Sequence, residues 1–352
     1  MQKVTPKVSV IVPNYMHADY LNKRLESISR QSFQDFEVIL LDDASTDKSE
    51  VTLKKWAKNH KNFQYFPNKK NSGSTFAQWN KGVELARGEY LWIAESDDWA
   101  EPDLLEKLVL ELERNQNAVI AFSQSMLVEK SGKHLHNFNV HYHKIFKTNR
   151  WNKSYVNNGI NEIENFMLIH NIIPNASAAL IRKRSYDQVG GAPVNWKLNG
   201  DWMFYIKLLE NGDICYIPET LNYFRVHDKT QRSLANKSGS AYKEILTIID
   251  HICTNHSPQK QNRKKAYSNV ASWWTHSLYR QSWKKEDLKP NLKINFDLFR
   301  RFVTLRPLIL LHIPYEGFIR IAVFILDFIG LKAPLRKLLH KLFPSYFIPN
   351  SI

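Results

Sequence analysis

Apolar residues in the first half of the chain fall into short runs that stop at proline or at acids. Between these runs lie stretches with an apolar residue every third or fourth position. Val8-Ser9-Val10-Ile11-Val12, ended by Pro13-Asn14-Tyr15, is a strand buried on both faces. Leu21 to Ser32 carries Leu21, Leu25 and Ile28 at helical spacing. Phe36-Glu37-Val38-Ile39-Leu40-Leu41 is a second strand and runs directly into Asp42-Asp43-Ala44-Ser45-Thr46-Asp47. Ser49 to Asn59 reads as a helix, Phe63 to Phe66 as a short strand and Phe76 to Arg87 as a helix. Tyr90 to Ala94 is a buried strand that stops in Glu95-Ser96-Asp97-Asp98. Val119 to Phe122 and Ala178 to Ile181 read as further strands. Strands alternating with helices of this length imply right-handed crossovers and a parallel sheet, so the fold class is α/β.

Two of these strands end in clustered acids, where an open α/β sheet binds its ligands. On extended backbone, side chains two apart point the same way. Glu95 and Asp97 are therefore placed to share one hard divalent cation, Mg²⁺ or Mn²⁺, with substrate phosphates and water as its other partners. The competing reading is a helix N-terminus, with Asp97 or Asp98 as the cap and Pro102 in the first turn. An acidic strand end is often only a turn; two on neighbouring strands make a site.

Taken together, Ser9-Val10-Ile11-Val12-Pro13-Asn14-Tyr15, Leu41-Asp42-Asp43-Ala44-Ser45-Thr46-Asp47 and Gly88-Glu89-Tyr90 leading into Glu95-Ser96-Asp97-Asp98 resemble glycosyltransferase family 2 in order and spacing. The likeness covers roughly residues 7 to 230. It implies the GT-A nucleotide-sugar-binding fold, a mostly parallel central sheet flanked by helices, here with a helical C-terminal extension. By position, Pro13 and Tyr15 line the base and Asp43 accepts from its ring N–H. Glu95-Ser96-Asp97 corresponds to the family's Asp-x-Asp element, with Asp97 as the main metal ligand and Ser96 in the donor site. Glutamate in place of the first aspartate departs from the common pattern and implies contact through water.

A second departure lies at Asn71-Ser72-Gly73-Ser74-Thr75-Phe76-Ala77-Gln78-Trp79-Asn80-Lys81-Gly82. The family usually has a shorter Asn-x-Gly turn there, and its helix presents an arginine to the pyrophosphate. This chain has Gln78-Trp79 and one extra residue; Gly73 marks the turn and joins the donor-binding set. The pattern resembles enzymes of bacterial surface-polysaccharide assembly.

Asp201, in Leu198-Asn199-Gly200-Asp201-Trp202-Met203-Phe204, opens an amphipathic helix and reads as a cap from its residues alone. The resemblance makes it the general base, taking a proton from the acceptor hydroxyl as the leaving group departs. Tyr223-Phe224-Arg225-Val226-His227 resembles the family's closing strand, which implies His227 as a further metal ligand and Arg225 at the diphosphate. The implied reaction is inverting, metal-dependent transfer from a nucleoside diphosphate sugar, a UDP-sugar first, to a hydroxyl of a lipid-linked or oligosaccharide acceptor. A nucleotidyltransferase and a degenerate membrane-associated scaffold stay open as alternatives. The first normally has a glycine-rich basic loop after its first strand, which Pro13-Asn14-Tyr15-Met16 is not.

The chain has 352 residues and a formal net charge of +15, which calls for an anionic partner. Scattered basic residues without a recognised motif argue against nucleic acid. The carboxyl-terminal third accounts for the charge better. From Leu298 to Phe347, Arg300, Arg301, Arg306, Arg320, Lys332, Arg336, Lys337 and Lys341 alternate with Leu, Ile and Phe. Pro307 to Gly330 is nearly long enough to span a bilayer, but Arg320 and Asp327 interrupt it. Lying on an anionic membrane surface or packing as a helical subdomain are the two readings that fit. Residues 241 to 295, with Trp273, Trp274 and Trp283, are expected to be helical. Cys215 and Cys253 form no framework and the N-terminus has no apolar leader, so the expected location is cytoplasmic, peripheral at the inner face of the cell membrane. The segment from Ser131 to Trp151 reads as a surface loop, with His134, His136, His141 and His143 lacking the acid or cysteine that zinc would need. The expected division is 1–235, catalytic, with a donor half to about 125 and an acceptor half from about 126, and 236–352, a basic extension.

Overall fold

The structure is a computed structural model and describes residues 5–226, 239–282 and 292–305. Strand β1 (Val8–Asn14) is buried at every position and pairs in parallel with β2 (Phe36–Asp42). Helix α1 (Ala18–Ser29) crosses between them and buries Leu21, Leu25 and Ile28 on the sheet. Helix α2 (Ser49–Asn59) leads to β3 (Phe63–Pro67), parallel to β2. Helix α3 (Thr75–Leu85) leads to β4 (Tyr90–Ile93), parallel to β1 on its other side. Gly82 lets α3 approach closely: a Cβ there would lie 2.3 Å from Cγ2 of Ile11.

After the short β5 (Trp99–Ala100), helix α4 (Leu104–Arg114) buries Leu104, Leu105, Leu108 and Leu112. Strand β6 (Ala118–Val128) is far longer than the Val119–Phe122 core read from sequence. The segment expected as a surface loop instead forms β7 (His134–Asn137) and α5 (Phe138–Phe146). Its Phe138, Tyr142 and Trp151 are buried, so apolar anchors hide among the polar residues that suggested a loop. There follow β8 (Tyr155–Asn157), a helical turn α6 (Gly159–Glu162), β9 (Ala179–Arg182), α7 (Lys183–Gln188), α8 (Gly200–Leu209) and β10 (Asp213–Arg225).

The sheet order is β3-β2-β1-β4-β9-β6-β10-β5, with β7 on β6 and β8 on β10. The ladder β3-β2-β1-β4 is parallel, and so is the pair β6-β10. Strand β9 runs antiparallel to both β4 and β6 and joins the two. Both faces of this α/β sheet are covered by helices, which is why β1, β2 and β4 are apolar throughout and not alternating.

The described residues divide into two compact units, one within 1–227 and one within 228–352. The second holds the helices Ser240–Asn255, Lys260–Ser282 and Leu292–Leu305, as the sequence suggested. Within it Trp274 packs on Phe302, 5.2 Å between ring centres, and donates to Asn295 Oδ1 at 2.8 Å. No helix among the described residues is long and apolar enough to cross a membrane. His227, Trp283 and the basic, apolar stretch from residue 306 on lie outside the described residues.

Candidate active site

Strands β1, β2 and β4 end side by side, and Pro13, Tyr15, Asp43, Glu95, Ser96 and Asp97 stand on or just beyond that edge, whereas Asp201 lies on α8 and Arg225 on β10. Pro13 is buried in β1, and Tyr15, one residue past it, is half exposed. Asn14 Nδ2 donates to Asp42 Oδ1 at 3.0 Å and to Ser45 Oγ at 3.2 Å, tying the two strand ends together. Met16 and Ala44, in the turns beyond, hold φ of 60° and 59°, a left-handed conformation that side chains with a Cβ resist.

Asp43 is held by several donors. Its carboxylate accepts from Asn68 Nδ2 at 2.6 Å, Ser72 N at 2.9 Å, Ser72 Oγ at 2.7 Å and Gln78 Nε2 at 2.9 Å. Asn71 Nδ2 donates to its carbonyl at 3.1 Å. Gly73, at φ 69°, makes the turn that brings Ser72 back onto Asp43. Gly73 thus shapes the loop that grips the acid.

The turn after β4 is built differently. Asp98 is 2% exposed, and Glu95 and Asp97 are half-buried. Glu95 Oε1 accepts from Trp79 Nε1 at 2.9 Å, and Asn175 donates to Asp98. Burial first, and then the charge of Asp97, pushes the Glu95 carboxyl up to about 8; the same two causes raise Asp98. Behind them lies Arg24 of α1, 0% exposed, its guanidinium 4.9 Å from the Trp92 ring centre. Its Nη2 donates to Ser177 Oγ at 2.9 Å, and Glu95 N donates to the same oxygen at 3.0 Å. Burial lowers the Arg24 pKa to about 10, while Asp98, Glu95 and Asp97 hold its proton in place. Three carboxylates face one guanidinium. Oxygen ligands short of positive charge fit a hard divalent cation, and Asp97, with Glu95 beside it, is the pair that could hold one.

Ser96 is buried, and its Oγ lies 2.8 Å from His17 Nδ1, joining this turn to the end of β1. Arg225 braces the turn from β10. Its N donates to Asp98 Oδ1 at 3.0 Å, its Nε to the Asp97 carbonyl at 2.9 Å and its Nη1 to the Lys130 carbonyl at 2.6 Å. A diphosphate contact by Arg225 would compete with these bonds.

Asp201 occupies the first turn of α8, and its Oδ1 accepts from Trp202 N at 2.8 Å. Asn171 Nδ2 reaches its Oδ2 at 3.3 Å. Four residues on, Tyr205 is 0% exposed, and its hydroxyl has no hydrogen-bond partner among the described residues. Burial, and then the charges of Asp201 and Glu95, raise its pKa well above the usual phenol value. The charges of Asp201 and Glu95 thus both bear on one buried hydroxyl.

Arg24, Ser177, Asn175, Asn171 and Tyr205 were not singled out from the sequence. Arg24 left a signal, a charge three residues after Leu21 and four before Ile28 on a face that must be apolar. Ser177 and Asn175 left none, since they sit in an ordinary polar stretch.

The family model described as Glycosyl transferase family 2 matches residues 9–187 of the 352. The putative teichuronic acid biosynthesis glycosyltransferase TuaG of Bacillus subtilis is 34% identical over 133 residues, 38% of this chain and 52% of that protein. An uncharacterized glycosyltransferase of Methanocaldococcus jannaschii is 32% identical over 142 residues, 40% of this chain and 49% of that one. The chain thus spans about half the length of these two curated relatives. Among solved structures, residues 1–349 of S. aureus TarS in complex with UDP-GlcNAc align with a TM-score of 0.57 at 20% identity, covering 79% of this chain and 74% of that one. The mannosyltransferase PcManGT from Pyrobaculum calidifontis, in complex with GDP-Man and Mn²⁺, aligns with a TM-score of 0.56 at 13% identity, covering 89% and 84%. At such identities the likeness is one of fold, and that fold is GT-A.

Proposed function

The chain belongs to glycosyltransferase family 2, and from that premise we propose that it moves a sugar from a nucleoside diphosphate donor to a hydroxyl of a glycan or lipid-linked acceptor in cell-surface polysaccharide synthesis. A UDP-sugar is the donor favoured by the TarS complex with UDP-GlcNAc, and the surface-polymer role by the likeness to TuaG. The observation that best supports the reading is the pair of acidic turns at neighbouring strand ends, Asp43 beyond β2 and Glu95, Asp97 and Asp98 beyond β4, where an open α/β sheet binds its ligands.

In this proposal Pro13, Tyr15 and the Asp43 loop with Gly73 receive the nucleoside, and Ser96 and Arg225 keep the turn after β4 in shape. Asp97, with Glu95, holds Mg²⁺ or Mn²⁺, which when bound offsets the charge of the departing diphosphate. His227 joins as a ligand on the strength of the resemblance alone. Asp201 takes the proton of the acceptor hydroxyl while that oxygen bonds to the anomeric carbon from the side opposite the diphosphate. The electron pair of the breaking C–O bond leaves with the diphosphate, and one displacement inverts the anomeric centre. The catalytic part is 1–235, and the basic remainder, 236–352, is the part to test on anionic vesicles.

The deciding experiment is single-turnover transfer by Asp201→Asn under saturating donor. Asn keeps the shape and most of the capping ability of Asp but accepts no proton at neutral pH. Turnover should fall by roughly 10²–10⁴-fold while donor affinity and melting temperature hold. A rate within about tenfold of the parent would remove Asp201 from the mechanism.

A further inference from the structure

The two departures from the family pattern, Gln78-Trp79 and Glu95, meet in the structure. Gln78 and Trp79 are adjacent on α3, yet each donates one hydrogen bond to an acid on a different strand end. Gln78 Nε2 binds Asp43 Oδ1 at 2.9 Å, beyond β2, and Trp79 Nε1 binds Glu95 Oε1 at 2.9 Å, beyond β4. Both residues are buried, at 4% and 3% exposure. Trp79 is fixed in turn by edge-on contacts with Phe76 and with Phe204 of α8, at 5.2 and 6.4 Å between ring centres. Gln78 Nε2 is held a second time by Ser72 Oγ at 3.1 Å.

The cost of this arrangement points to the site and not to packing. Gln78 Oε1 is buried without a partner among the described residues, and a side chain chosen for stability would not bury an unanswered acceptor. The Trp79 bond has a further consequence. A glutamate is one methylene longer than the aspartate it replaces and has one more rotatable bond. The indole N–H takes one carboxylate oxygen and leaves the other to a cation or its water. Hydrogen bonds of this kind orient ligands and tune their affinity.

We propose that Gln78 and Trp79 are a pair of positioning residues, a clamp on one helix that fixes the nucleoside-side acid Asp43 and the metal-side acid Glu95 at a set separation. The clamp stands where the family pattern places a phosphate-binding arginine, and it makes a glutamate usable at the first acidic position. The inference rests on the metal and nucleoside roles proposed above for Glu95 and Asp43.

The test is calorimetric titration of the full chain with Mn²⁺ alone and, separately, with UDP in the absence of metal. Trp79→Phe keeps the ring packing and deletes only the N–H. It should weaken Mn²⁺ binding by about tenfold and leave metal-free UDP affinity unchanged. Gln78→Met should do the reverse, weakening metal-free UDP binding by about tenfold with Mn²⁺ affinity intact. In the Glu95→Gln background, Trp79→Phe should cost nothing further, because the bond it removes no longer meets a carboxylate. A merely structural role would lower both affinities together in both variants, and that outcome overturns the clamp, as does full additivity of Trp79→Phe with Glu95→Gln. A parent chain that binds UDP but no Mn²⁺ overturns instead the metal role of the turn after β4. The Gln78→Met arm then still decides the Asp43 half. If Trp79→Phe does not fold, Trp79→His, which retains a ring donor, must restore Mn²⁺ binding for the proposal to stand.

Discussion

The acids after β2 and the acids after β4 look alike in sequence and are opposite in physics. Asp43 is surrounded by amide, hydroxyl and backbone donors, four groups on one carboxylate. Its charge is met by neutral dipoles, and the turn that carries it holds Ala44 in the left-handed region, at φ 59°. Beyond β4 three acids crowd together with fewer donors; burial and mutual repulsion push Glu95 up to about 8, and the compensating charge is a buried arginine. One turn holds its acid with donors on a strained backbone, and the other crowds acids that burial and repulsion push toward their protonated forms. In the proposal above the first receives a neutral ring and the second a cation.

The largest effects should separate the turns by what they bind. Asp97→Ala should cost at least about 100-fold in Mn²⁺-dependent UDP affinity, since a ligand to the cation is lost, and leave metal-free nucleoside binding alone. Asp43→Ala should weaken nucleoside binding with or without metal. Calorimetry in which both variants lose the same function would erase the distinction between the turns.

Stability should separate them next. Arg24→Met removes the buried positive charge near Asp98 and Glu95 together with its hydrogen bond to Ser177 Oγ, which should cost about 1.5–3 kcal/mol. Asn68→Ala removes one donor of several around Asp43 and should cost about 1 kcal/mol. Urea unfolding measures both; an Arg24 variant as stable as the Asn68 variant would mean that the acids after β4 do not rely on the guanidinium.

If burial is what raises the acids after β4, it must depress a buried base. His141 of α5 is 9% exposed and faces His170 at 3.3 Å between their Nε2 atoms, with His136 and Lys144 adding positive charge. Burial, then His170, lowers its pKa from 6.5 to about 3. The unfolded chain therefore takes up this proton first, so acid favours unfolding. The contribution is intact above about pH 6.5 and is lost progressively toward 3. Near pH 5 the parent should have lost about 2 kcal/mol relative to His141→Gln, judged from the difference between their stability curves. Parallel curves would show that His141 is protonated in the fold.

The sequence made the strand ends legible because a doubly covered parallel ladder writes itself as apolar runs, and acids at their ends have no apolar reason to be there. Glu95 and Gln78-Trp79 were legible only as separate oddities, since the hydrogen bond that joins Trp79 to Glu95 is a tertiary contact. Ser177 was illegible for the same reason: its hydroxyl gains meaning only where Arg24, Glu95 and Asp98 converge on it. The segment around α5 misled because Phe138 and Tyr142 are spaced for a helix but diluted among His, Asn and Lys.

The smallest effect bears on the strain after β2. Ala44 at φ 59° pays about 1–2 kcal/mol for the approach of its Cβ to the following carbonyl. Glycine removes that clash but loses about 0.5–1 kcal/mol more backbone freedom on folding. Ala44→Gly should therefore stabilise the chain by up to about 1 kcal/mol, a small rise in urea midpoint with no change in slope. The same change loosens the turn that carries Ser45, whose Oγ accepts from Met16 N at 2.9 Å and ties the ends of β1 and β2. Metal-free UDP affinity should consequently fall slightly while Mn²⁺ affinity, set beyond β4, stays where it was. A more stable variant with tighter nucleoside binding would show that the left-handed alanine serves neither function nor fold. A less stable one would show that its methyl group contributes more through packing than its backbone costs.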